Sequence, residues 1–105
     1  MSMGKVAVVL EGWLYLEYDE ELHSYKLFKK KLTRDDLRVN EFGLEMAKRG
    51  IIPMERLEKR VREVLEEGKI YWLDVEPEGV DYELLEAYLN KFLGKRVRIT
   101  IEVIE

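Results

Sequence analysis

Residues 53–67 restrict the fold more than any other segment. Met54, Leu57, Val61, Val64 and Leu65 recur at three- and four-residue intervals, the spacing of one helical face. Pro53 stands at the start, where a missing N–H costs nothing, and Gly68 offers a left-handed stop. Glu55–Lys59, Glu58–Arg62 and Arg62–Glu66 are spaced to pair along the outer side. Leu57 is therefore expected in the core and Glu58 in solvent. A helix with one apolar stripe has to lie on another layer, and the segments on either side of it alternate with period two.

Residues 5–18 form the first alternating run. Val6, Val8, Leu10, Leu14 and Leu16 share one row, interrupted by Gly12, and that row is the expected buried face. Ala7, Val9, Glu11, Trp13, Tyr15 and Glu17 share the other, and Gly12 is expected to mark a bulge or bend. After a polar turn at 19–21, residues 22–30 read as an antiparallel return strand blunted by lysines. Thr33 and Asp36 have the spacing of a capping box, with Asp in place of Glu or Gln. A helix over 41–49 should stop at Gly50. Residues 69–76 read as a third strand, residues 82–93 as a helix capped by Asp81 and closed by Gly94, and residues 96–104 as a last strand. In that last strand Val97, Ile99, Ile101 and Val103 are expected to face in and Arg96, Arg98, Thr100 and Glu102 to face out.

The fold expected is one α+β domain over residues 1–105, in the order β-β-α-α-β-α-β. Its four-stranded sheet is antiparallel or mixed, with helices mainly on one face. No repeat, low-complexity tract or linker interrupts the chain.

Composition narrows the chemistry. The 105 residues include no cysteine and one histidine, which excludes disulfides, thiolate metal sites and cysteine nucleophiles. Charged residues make up 38%, well above the roughly 25% of an average domain. Gln is absent, and Asn occurs only at positions 40 and 90, a pattern shared with proteins of hot environments. The longest early apolar run, 6–10, is too short for an export signal, and no stretch approaches a membrane span. A cytoplasmic, membrane-free protein is the expectation.

Serine occurs only at 2 and 24 and threonine only at 33 and 100, with no nucleophile elbow and no glycine-rich phosphate loop. His23 has only Asp19, Glu20 and Glu21 as close acidic neighbours and reads as an exposed strand residue. Asp74 and Glu76, two apart on a strand, would share a face, the arrangement of some carboxylate-based metal enzymes. No lysine follows to complete such a site, so neither a catalytic group, a metal nor a cofactor is expected.

Two features point to binding. Residues 26–38 carry six basic and two acidic side chains, a local charge of +4, on a chain whose net charge is −4. Lys29, Lys30, Lys31, Arg34 and Arg38, beside Tyr25 and Phe28, could track a nucleic-acid backbone; the same lysines also protect a strand edge. The second feature is surplus apolar surface. Eight of the twelve residues 82–93 are apolar or aromatic, more than one helix stripe needs, so that helix is either enclosed in the fold or meets another subunit. Trp13, Tyr15, Tyr82, Tyr88 and Phe92 are the interface candidates. The leading expectation is a non-enzymatic protein-association domain, homodimeric, with nucleic-acid binding as the alternative and metal-dependent catalysis at Asp74 and Glu76 third.

Overall fold

The structure, a computed structural model, describes residues 8–105. Residues 5–7 of the expected first strand lie outside that range. The ladder begins at Trp13, after a bend at Gly12. A Cβ on Gly12 would sit 2.7 Å from the carbonyl oxygen of Phe28, so glycine is required there by the close approach of the neighbouring strand.

β1 (Trp13–Tyr18) and β2 (His23–Phe28) pair antiparallel over their full length, from Trp13 opposite Phe28 to Tyr18 opposite His23. Asp19 closes the turn between them: its Oδ1 accepts the backbone N–H groups of Glu21 and Leu22, both at 2.7 Å. These two bonds, with a contribution from the Trp72 indole, hold the Asp19 carboxyl below its ordinary range. Next, Asp36 reaches back to the Thr33 N–H at 2.8 Å, closing the expected capping box around the 3-10 turn Arg34–Asp36.

β3 (Leu37–Val39) leads into α1 (Glu41–Lys48) and α2 (Met54–Glu67). Gly50 and Gly68 follow the two helices with φ of 74° and 69°, the left-handed conformation that stops a helix. β4 (Lys69–Tyr71) then runs parallel to β1, β5 (Val75–Pro77) pairs with β3, and β6 (Tyr82–Leu84) pairs with the outer edge of β2. The last helix, α3, spans Leu85–Asn90. The result is an α+β fold with a mixed four-stranded sheet in the order β4-β1-β2-β6 and a two-stranded ladder of β3 and β5.

The buried face of β1 is the opposite of the one expected. Tyr15, Phe28 and Ile70 point inward and are 6%, 1% and 0% exposed, whereas Leu14 is 51% exposed. The expectation extended one row of aliphatics through Gly12, but the strand starts afresh at Trp13, and the larger rings take the core. Tyr15 packs edge-on against Phe28 at 5.4 Å, and its hydroxyl accepts the Leu32 N–H at 3.0 Å, so its polar end is satisfied as well. Leu57, Val61 and Val64 of α2 are buried as expected, each adding about 1.5–3 kcal/mol of transfer free energy.

Three further expectations change. Residues 82–84 are strand rather than helix, because the outer edge of β2 has backbone groups to satisfy and Lys29 also donates its N–H to the Asp81 carbonyl at 3.0 Å; Asp81 therefore does not cap a helix. Glu58 pairs with Arg34 at 3.3 Å instead of closing a bridge along its own helix. Residues 96–104 keep the alternation of a strand but join no ladder among the described residues, so Val97, Ile99, Ile101 and Val103, expected to face in, are exposed.

Candidate association surface

The basic segment is neutralised by the folded chain. Lys26 pairs with Glu17 at 2.8 Å, Lys29 with Glu83 at 3.4 Å, and Lys30 with Asp36 at 2.9 Å. Arg34 takes Glu58, and Arg38 takes Glu76 at 2.5 Å and Glu78 at 3.6 Å. Of the five candidates for nucleic-acid contact, Lys31 alone has no carboxylate partner among the described residues. Apart from Asp36, which lies in the same segment, these acids come from other elements (Glu17, Glu58, Glu76, Glu78 and Glu83), and they weaken the field a polyanion would meet.

The two carboxylates considered for metal chemistry are separated by the fold. Asp74 lies in the turn between β4 and β5, is 3% exposed, and is held by Arg56 Nε at 3.0 Å and Arg60 Nε at 3.1 Å. Glu76 lies on β5 and faces Arg38. Their shared-face geometry does not form, because Asp74 precedes the strand instead of standing on it. Among the described residues no group of three or more His, Cys, Asp or Glu side chains is placed to hold a metal ion.

Around Asp74 the polar groups form a clamp. Arg60 stacks on the Tyr71 ring, 3.9 Å from its centre, and donates to the Tyr18 hydroxyl at 3.2 Å. That hydroxyl donates to Glu63 at 3.0 Å, and the Tyr71 hydroxyl donates to Glu20. Burial, followed by the Glu20 carboxylate, pushes the Tyr71 phenol up to about 12. Burial and Glu63 raise Tyr18 as well. The clamp joins α2 to the β1–β2 turn and to the turn that follows β4. Sequence spacing could not reveal it, since Arg56 and Arg60 stand 18 and 14 residues before Asp74.

His23 begins β2, exposed, with its ring stacked 6.4 Å from that of Tyr18. Beside the β3–β5 ladder lies an open groove of about 430 Å³, walled by Phe42, Trp72, Arg38 and Glu76. Phe42 is 66% exposed on the first turn of α1.

The proposed interface residues divide. Tyr15 is spent in the chain's own core. Trp13 is half-buried and donates its indole N–H to Glu105 at 3.2 Å. Tyr88 and Phe92 are half-buried, and Tyr82 is 45% exposed. The larger apolar exposure lies further along. Leu93 is 75% exposed, and Val97, Ile99, Ile101 and Val103 are 54%, 65%, 82% and 86% exposed. All residues from 93 to 105 are exposed, and the chain measures 66 × 29 × 20 Å.

No known family, curated protein or solved structure matches the chain. Its own surface is therefore the guide to what it does. Among the described residues no helix is long and apolar enough to cross a membrane.

Proposed function

We propose that the chain is a non-enzymatic protein-association domain that pairs with a second copy of itself in the cytoplasm. One observation carries this reading: Val97, Ile99, Ile101 and Val103, with Leu93 before them, present aliphatic side chains to water along a single run. A single exposed Leu is ordinary; a run of this kind marks an interaction surface. Tyr82, Tyr88 and Phe92 flank it in sequence and extend the same apolar character. Cytoplasmic residence, and a hot one, rest on composition alone: no cysteine, no Gln and 38% charged residues. Nucleic-acid binding ranks below self-association because four of its five basic candidates already hold carboxylates.

Light scattering across two decades of concentration tests the proposal. A dimer at micromolar concentration is the expected result, and a monomer throughout ends it.

A further inference from the structure

Resting on that association reading, the order of residues in 95–105 names the way two copies would join. We infer that residues 95–105 of two chains pair as antiparallel strands about a two-fold axis through Thr100.

In such a pair every residue faces the partner residue whose number brings the sum to 200. Val97 then faces Val103 of the second copy, Ile99 faces Ile101, and Thr100 faces its own counterpart. Arg98 faces Glu102, and Lys95 faces Glu105. The apolar pairs and the Arg98–Glu102 pair fall on opposite faces, as the two-residue period of a strand requires. Each apolar residue from 97 to 103 meets an apolar one, and each charge at 95, 98, 102 and 105 meets its opposite. Shifting the register by one residue sets aliphatics against charges, which would discard the whole pattern. Moving the axis to Ile99 leaves Arg98 facing Thr100 and Lys95 facing Val103. Pairing about Thr100 uses every charge in the segment except Arg96, which faces Ile104.

Nothing within the described chain competes for these backbone groups: residues 96–104 are in no ladder and are exposed throughout. The described polar tether of the segment is the exposed bond from Trp13 to Glu105. A two-stranded ribbon is marginal alone. Here its eight aliphatic side chains from the two copies give one face that can settle on the exposed Leu89 and Leu93 of the two bodies.

These 105 residues hold no cysteine, which makes the chain a clean background for the test. Thr100→Cys places two thiols opposite each other at about 4.5–5.5 Å between Cβ atoms, while Ile99→Cys leaves its pair diagonal at about 7–8 Å. Mild oxidation should convert most of the Thr100→Cys protein to a disulfide dimer and little of the Ile99→Cys protein. Arg98→Glu should raise the dimer dissociation constant at least tenfold, and adding Glu102→Arg should restore it. If the wild type dimerises but Thr100→Cys cross-links no faster than Ile99→Cys and Arg98→Glu has no effect, the pairing is wrong while self-association stands. A wild type that stays monomeric removes both. A monomer whose amides at 97–103 are protected from exchange at every concentration would also overturn the pairing.

Discussion

The Nε of Arg60 lies 3.1 Å from Oδ2 of Asp74, a carboxylate that is 3% exposed. Arg56 meets the same oxygen from one helical turn earlier, at 3.0 Å. Two guanidiniums on one buried oxygen leave a surplus positive charge, which Glu63 and the face of the Tyr71 ring offset.

Removing the shared acceptor should be costly. Asp74→Ala leaves both arginines without their shared carboxylate, and breaking such a buried arrangement costs about 3 kcal/mol, the low end of the usual range because Arg56 is partly solvated. Urea unfolding of Asp74→Ala beside Glu76→Ala, whose pair with Arg38 is at the surface and worth about 1 kcal/mol or less, measures the difference. Equal losses would show that the clamp contributes nothing special.

Orientation of α2 is checked in the same way. Leu57 is 4% exposed, so Leu57→Ala should cost about 2–5 kcal/mol. Glu58 faces solvent toward Arg34, and Glu58→Ala should cost no more than about 1 kcal/mol. Chemical denaturation of the two variants decides whether the helix is turned as described.

Alkaline stability should report on Tyr71. Its phenol is pushed up to about 12 from an ordinary value near 10, so the folded state holds the proton more tightly than the unfolded chain. The stability this provides is fully present below about pH 10 and is lost as pH rises through about 12. Tyr71→Phe should therefore unfold along a flatter curve than wild type between those limits. Parallel curves would mean that Tyr71 does not titrate as its surroundings require.

Gly12 admits no side chain. A methyl group there would press on the Phe28 carbonyl at 2.7 Å, and backbone cannot swing aside as a side chain can, so Gly12→Ala should cost about 1–3 kcal/mol. Ala scanning of residues 10–12 by thermal unfolding should single out this position, and a stability no lower than that of its neighbours' variants would refute the close approach.

Helix α2 and the turn at Thr33 were legible because every signal for them lies within about fifteen residues. The buried face of β1 was not, since Tyr15 is chosen over Leu14 by Phe28, Val61 and Val64, which reach it only in the folded chain. The strand at Tyr82 was hidden for a similar reason. Its residues read as helix until the open edge of β2 is placed beside them. The positive charge of residues 26–38 is legible along the chain, but Glu83 answers Lys29 from 54 positions away. The apolar surplus of residues 82–93 is legible in the sequence; the exposure of residues 97–103 depends on which ladders form, and no spacing rule predicts that.

The parallel pairing of β1 with β4 also has a consequence for synthesis. Glu17 lies beside Ile70, and Tyr18 beside Tyr71, so one side of β1 has no mate until the intervening fifty or so residues have left the ribosome. The hairpin of β1 and β2 can close within microseconds of emerging, yet at translation rates of about 5–20 residues per second it waits several seconds for β4. Throughout that interval β1 offers a bare rim and the rings of Tyr15 and Phe28 lack the cover of α2. The growing chain is then most exposed to misassembly, and it depends on α2, which emerges just before β4, to end that period.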